Sequence, residues 1–318
     1  MGRNILITGG AGFIGTNLTR HLEELGDRVW ILDNLSRGRK EYIKNPDQLI
    51  EKDIRYGEDL TESFKGMDAV IHLAAFGSVV ESVSQPSPNF DINVRGTFNV
   101  LEAARESGVK RMIFASTGGA LIGEASPPVD ENSLPRPISP YGSSKLCGEA
   151  YCHAFAKAYG LGTVCLRFAN VYGPFSAHKK GAATKFMKCI LNDEPMPIFG
   201  DGSSTRDFLH VDDLCAGIIL GLDKEIAPGE VFHLASGRDI SILNLARTIA
   251  DIAGSPEHDI LFFPARPGEV RHNFARYDKA NKELGFKPLT DMRQGLKETW
   301  DWYLKNKEHV LSIEESDS

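Results

Sequence analysis

Excess positive charge, paired thiols and long apolar runs are what this 318-residue chain lacks. Its 36 Lys and Arg face 43 Asp and Glu, for a formal net charge of -7. With a pI near 5.8, nothing marks a surface for nucleic acid or anionic membrane. The five cysteines (Cys147, Cys152, Cys165, Cys189, Cys215) stand singly, without metal-ligand spacing. Their odd number and mostly apolar neighbours fit reduced thiols in the cytoplasm. His72, His153 and His210 form no pair or triad with ligand spacing; they read as structural, and no metal is expected. No apolar run is long enough to span a bilayer. The chain enters a strand almost at once, which leaves no room for a signal peptide. Internal repeats and low-complexity segments are absent, and the acidic, Ser-rich residues 306–318 are expected to fray.

What remains is an ordinary globular composition, 42% hydrophobic and 25% charged, enough for one large or two small domains with ample core. Short β-rich apolar runs alternate with helical patterns through the first half, which predicts an α/β fold with a doubly wound parallel sheet. The expected strands are residues 4–8, 29–33, 48–52, 69–73, 112–116 and 163–168. Ile14, Leu18, Leu22 and Leu25 share one helical face, and Gly26 stands where that helix should stop. Residues 90–107 and 141–159 read as long helices, and the Pro-, Gly- and Ser-rich 118–140 as a loop. After Val171-Tyr172-Gly173-Pro174 the alternation breaks down. A Rossmann domain over 1–169, with 207–234 returning to it, would then carry a smaller, partly interleaved domain over 170–206 and 235–305. Ligands of such sheets bind beyond the strand C-termini, between the two parts.

Two motifs carry chemistry. Gly10-x-Gly12-x-x-Gly15 follows an expected strand and opens an expected helix, the context that identifies a dinucleotide turn. Gly10 permits the tight turn, Gly12 lets backbone approach a pyrophosphate, and Gly15 allows close helix packing. The helix N-terminus offers amides and a positive dipole to the phosphates. Asp33 ends the second strand, where a carboxylate accepts from ribose hydroxyls and repels a 2′-phosphate, so NAD is favoured over NADP. Arg37 and Arg39 keep NADP as the lesser alternative. The second motif is Tyr141 with Lys145, four residues apart on one helical face. A cationic amine beside a phenol favours phenolate, drawing the Tyr141 pKa toward neutrality. Such a base takes a proton from a hydroxyl as a hydride leaves the same carbon.

These motifs recur, in order, with residues 33–36, 53–54, 72–75, 93–97, 115–117, 167–174, 205–208 and 266–269, covering nearly the whole chain. Together they resemble the extended short-chain dehydrogenase/reductases, in the NAD-dependent epimerase/dehydratase branch that handles nucleotide sugars. The resemblance implies a cofactor trough of Gly9, Gly12, Phe13, Ile14, Gly15, Asp33, Asn34, Ser36, Leu73, Ala74, Ala75, Asn93 and Ser116, with Asp53 and Ile54 at the adenine edge and Tyr141 and Lys145 at the nicotinamide ribose. It implies that Thr117 donates to the reacting 4-oxygen and that Arg206 and Arg266 clamp the diphosphate. Glu269 would bind the uridine ribose and Asn170 a phosphate. His178-Lys179-Lys180 reads either as a solvated basic loop or as a partner of a diphosphate or sugar carboxylate.

The departures narrow the reaction. Sugar-nucleotide 4,6-dehydratases of this branch carry an Asp-Glu pair directly after the catalytic Thr; here Gly118 and Gly119 stand there. The Glu of the related decarboxylases is absent too, and Ile122 replaces the Tyr that many 4-epimerases place before the loop glycine. Tyr, Lys, Thr and NAD suffice for removing a hydride and returning it. The resemblance therefore implies a UDP-hexose 4-epimerase acting on UDP-glucose and UDP-galactose. Alternatives left open are UDP-N-acetylglucosamine or UDP-glucuronate epimerisation, net nucleotide-sugar oxidation or reduction, and a non-catalytic binding protein. A homodimer through residues 90–107 and 141–159 is also implied. Asn273, four residues after Glu269, falls where the family lines the sugar C2 substituent; being smaller than Tyr, it would admit an N-acetyl group.

Overall fold

The computed structural model describes residues 2–265 and 271–315. Seven parallel strands form one sheet: β1 Asn4–Thr8, β2 Arg28–Asp33, β3 Leu49–Glu51, β4 Ala69–His72, β5 Arg111–Thr117 and β6 Gly162–Phe168, joined by a late strand, Glu230–Leu234. Numbered in chain order, the intervening short strands are β7 Asn170–Tyr172, β8 Met196–Phe199, β9 Thr205–Arg206 and β10 Phe208–His210, so the late strand is β11. The sheet runs β11-β6-β5-β4-β1-β2-β3, and the order reverses on either side of β1, where doubly wound sheets open a crevice. The strands are continuous apolar runs because both faces are covered. On one face, Ile5, Ile7 and Ile113 pack against Leu18 and Leu22 of helix Phe13–Glu24 and Leu214 and Ile218 of helix Val211–Asp223. On the other, Leu6, Val70 and Phe114 pack against Val100 and Leu101 of helix Gly96–Glu106 and Phe155 of helix Pro140–Tyr159.

The sequence placed the six early strands to within about two residues. Helix Phe13–Glu24 ends as expected, with Gly26 at φ 86°. The helix expected from Phe90 begins instead at Pro86 and runs through a wider turn at Asp91–Arg95 into Gly96–Glu106; a proline is tolerated at a helix start because its missing N–H is unneeded there.

A second core gathers Phe186, Met187, Ile198, Leu245, Ile249, Leu296, Trp300 and Tyr303. Around it lie helices Ala182–Leu191, Ile242–Ile252 and Met292–Lys305, with β12 Ile240–Ser241, β13 Ile260–Phe263 and β14 His272–Asn273. The tail departs from its expected fraying. Residues Lys307–Glu315 form a helix whose Val310 and Ile313 are buried in this core; apolar residues at helical spacing outweigh the acidic composition.

Candidate active site

The loop after β1 carries the first half of the site. Gly9 has φ 70°, its amide donates to the Leu32 carbonyl at 2.8 Å, and a Cβ there would lie 2.6 Å from the Ala74 nitrogen. The tight turn therefore belongs to Gly9 and not to Gly10, whose absent side chain instead makes room for Ile31, 2.9 Å from an added Cβ. Gly12 caps helix Phe13–Glu24 with no side-chain hydrogen bond, and a Cβ there would meet only the Gly9 carbonyl oxygen, at 3.2 Å. A Cβ on Gly15 would come within 2.5 Å of Gly10 Cα, so glycine is what lets the helix press onto the turn. The result is a cradle of open space over a helix N-terminus, which suits a pyrophosphate.

Asp33 closes this half. Its Oδ2 accepts the Ala11 amide at 3.0 Å and its Oδ1 the Leu35 amide at 2.9 Å; burial raises its pKa while these bonds lower it. Each oxygen keeps acceptor capacity for a ribose diol. Arg37, the possible partner of a 2′-phosphate, pairs with Glu81 and lies over the Phe76 ring at 5.0 Å. The residues present fit NAD. Asn34 accepts from Ser36 and donates to Asp53 Oδ2 at 2.8 Å, and Arg55 chelates Asp53, holding it down at about 2. Ile54 is buried beside Gly96. The Leu73 amide donates to the Thr8 carbonyl at 3.0 Å and that of Ala74 to the Thr8 hydroxyl at 3.4 Å, bringing 73–75 alongside Gly9. Asn93 is buried, spending its amide on Phe76 and on Ser144 Oγ, the latter at 3.0 Å. His72 is structural, held between the Thr8 and Thr97 hydroxyls and pushed down to about 3 by burial.

Helix Pro140–Tyr159 brings the second half. Ser139 caps it by accepting the Gly142 amide at 3.1 Å, and Pro140 starts its first turn. That geometry sets Tyr141 beside the end of β5, near the Thr117 hydroxyl. Burial pushes Tyr141 up to about 12, and the Thr117 hydroxyl is what pulls it back. Lys145, expected to tune the phenol, lies one helical turn beyond it. Its Nζ donates to the Ala115 carbonyl at 2.7 Å and lies 6.0 Å from the Tyr141 ring centroid. Burial lowers Lys145 itself to about 8, offset by Cys152 and Glu149. Ser116, expected at the cofactor, points to the opposite face of β5 from Thr117 and donates to Glu149 Oε1 at 2.6 Å. Glu149 also takes a two-point contact from Arg167, at 2.9 and 2.8 Å, all buried. Sequence reading missed this support, although Glu149 lies at the same four-residue spacing beyond Lys145.

The two positions after Thr117 are filled by other parts of the chain. A Cβ on Gly118 would lie 3.1 Å from His233 Nδ1, and one on Gly119 would lie 1.7 Å from Asn273 Nδ2. Asn273 arrives on β14, paired with Arg206 on β9. Arg206 Nη1 donates to the Thr205 carbonyl at 2.8 Å, and Asn170 Nδ2 to the Asp207 carbonyl at 3.1 Å. Asn170, Arg206, His178, Lys179 and Lys180 line a cavity of about 740 Å³. Lys179 is no freely solvated cation. It donates to the Val171 carbonyl at 3.0 Å, lies 5.2 Å from the Phe13 ring and is lowered by burial to about 8. Lys180 pairs with Glu81 at 2.8 Å. Arg266 and Glu269 lie outside the described residues.

Known proteins share this fold. A solved UDP-glucose 4-epimerase with UDP-glucose from Thermotoga maritima is 37% identical, with TM-score 0.91 over 96% of this chain and 99% of that one. A UDP-N-acetylglucosamine 4-epimerase from Methanobrevibacter ruminantium M1, in complex with UDP-N-acetylmuramic acid, is 33% identical at TM-score 0.90, covering 96% and 99%. A UDP-glucuronic acid 4-epimerase from Bacillus cereus, in complex with UDP-glucuronic acid and NAD, is 32% identical at TM-score 0.88, covering 95% and 99%. The model of the NAD dependent epimerase/dehydratase family matches residues 5–235, from β1 through β11. By fold, by the glycine turn and by the Thr117–Tyr141–Lys145 grouping, the chain belongs to that family.

Proposed function

We propose that this chain is a UDP-hexose 4-epimerase that interconverts UDP-glucose and UDP-galactose through a transient 4-keto sugar. The observation that carries the reading is the filled space behind Thr117. Elimination of water needs an acid and a base there, and His233 and Asn273 occupy the volume their side chains would take. What is left is a half-buried phenol, the Thr117 hydroxyl near it and a buried amine. NAD, when bound, supplies the oxidation of C4 and its reversal. Tyr141, as the phenolate that the Lys145 ammonium favours, takes the O4 proton and later returns it, while Thr117 holds the oxygen in line. Lys145, anchored on the Ala115 carbonyl, presents its remaining N–H groups toward the nicotinamide ribose. Arg206 offers a guanidinium to the diphosphate at the cavity wall. The 4-keto sugar turns over within the cleft and is reduced on its other face, so NAD is regenerated each cycle.

The same reading includes a homodimer. Helix faces at 86–106 and 140–159 expose Phe90, Phe98 and Tyr151 at 54, 38 and 40%, an apolar surface fit for a second copy. Light scattering should give twice the 34.9 kDa chain mass.

The test of function is a panel of UDP-hexoses offered to purified protein, with epimers resolved by chromatography and cofactor absorbance followed throughout. Epimer formation without net NADH is expected. Tyr141→Phe should lose about 10²–10⁴-fold in kcat while still retaining NAD. Accumulating NADH, or near-normal epimerisation by the Phe variant, would overturn the reading.

A further inference from the structure

The fold assembles a cluster far from Tyr141 in chain and chemistry. His210 caps helix Val211–Asp223, accepting the Asp212 amide at Nδ1 from 3.4 Å. Its imidazole is 2% exposed, and its Nε2 has no hydrogen-bond partner. A buried ring nitrogen without a partner is costly, so what it faces matters. It faces Glu298 Oε2 at 4.0 Å, on helix Met292–Lys305. Asp212 Oδ2 stands 3.6 Å from Nδ1, and ligand atoms of all three residues lie within 4.8 Å of one another. His21, on helix Phe13–Glu24, reaches the other Asp212 oxygen at 3.0 Å.

The arrangement is built. Tyr172 packs edge-on against the His210 ring, centroids 5.3 Å apart. A Cβ on Gly295 would sit 2.9 Å from His210 Cδ2 and 2.7 Å from the Tyr172 hydroxyl. Glycine there lets the helix approach, and one turn later Glu298 arrives at Nε2. The two carboxylates are about half exposed and so can swing to close the roughly 2 Å bonds an ion demands.

We propose that His210 Nδ1, exchanging its long contact with the Asp212 amide for the ion, joins Asp212 and Glu298 in binding one divalent transition-metal ion of the zinc–cobalt class, with Nε2 keeping its proton toward Glu298 and His21 orienting Asp212 from outside. One imidazole and two carboxylates suit a borderline cation, and its two charges balance the two carboxylates. A histidine that hydrogen-bonds a ligating carboxylate is a usual outer partner. The ion would bridge helix Met292–Lys305 to the start of helix Val211–Asp223, tying the second core to the sheet without touching the reacting groups.

Full-length, metal-stripped protein should be titrated with Co²⁺ and its visible absorption recorded. One saturating equivalent is expected, with ligand-field bands and no thiolate charge transfer, and Zn²⁺ should raise the melting temperature. Glu298→Gln alters a half-exposed side chain, and it should weaken Co²⁺ binding at least about tenfold and erase the Zn²⁺ stabilisation, leaving epimerisation unchanged. Absence of saturable binding, equal binding by the variant, or a thiolate band placing the ion on cysteine would each overturn the proposal.

Discussion

Two glycine-bearing turns meet in the cleft, one after β1 and one after β5, and they use glycine for opposite ends. At Gly12 the missing side chain leaves open space, which a ligand's phosphates can enter. At Gly118 and Gly119 the missing side chains are replaced by an imidazole and an amide from β11 and β14. The first turn is shaped by what it must admit, the second by what already fills it. A glycine pattern thus reveals chemistry only when the neighbours of the absent Cβ are known. It also follows that the first turn should be intolerant of substitution, whereas the second should adapt.

The strongest test of that contrast is Gly9→Ala. A left-handed backbone costs an L-residue roughly 1–2 kcal/mol, and contact with the Ala74 backbone adds about 1–3 kcal/mol. Urea unfolding should show a loss of several kcal/mol, with little NAD retained on purification; an unaffected variant would mean the turn has slack. Next comes Asn273→Tyr at the second turn. A ring over Gly119 should suppress UDP-N-acetylglucosamine relative to UDP-glucose by roughly a hundredfold in kcat/KM. Equal losses on both sugars would remove Asn273 as the gate.

Thr117→Val removes the hydroxyl that pulls the Tyr141 pKa down. The phenol should then titrate higher, so the pH–rate profile should move about one unit alkaline, with about tenfold less activity at neutral pH. An unmoved profile would leave the tuning of the phenol to Lys145 alone. Gly119→Ala should do least. The Asn273 amide is the movable end of a side chain, so stability should fall by under about 1 kcal/mol, detectable as a small melting shift. A collapse as large as that of Gly9→Ala would erase the distinction between the turns.

What could be read from the sequence was whatever repeats locally. Strands with buried faces show as apolar runs, and Tyr141, Lys145 and the glycine motif keep fixed short spacings. The sequence could assign the glycine roles only by their order, so it placed the tight turn at Gly10, whereas the β2 register draws Gly9 against Leu32. It could not show that the Lys145 amine would be taken by a carbonyl of β5, because that contact depends on how deeply the helix packs. His210 was read as structural for want of a nearby partner. Glu298 comes to it from a helix near the far end of the chain, and only packing reveals the meeting. His233 carried no signal at all, since nothing in its neighbours marks the space behind Gly118.

The place of β11 has a consequence for how the molecule is made. All of it pairs with β6, from Val164 with Glu230 to Phe168 with Leu234. Between the synthesis of β6 and that of β11 the chain must build β7 through β10 and the two helices Ala182–Leu191 and Val211–Asp223. Throughout that interval β6 is an open edge bearing Val164, Cys165 and Leu166, all fully buried in the finished protein. An unpaired apolar edge is a template for wrong partners. A nascent chain stalled before Glu230, or a fragment cut between the two strands, would thus expose the sheet at the point where it most readily recruits another copy.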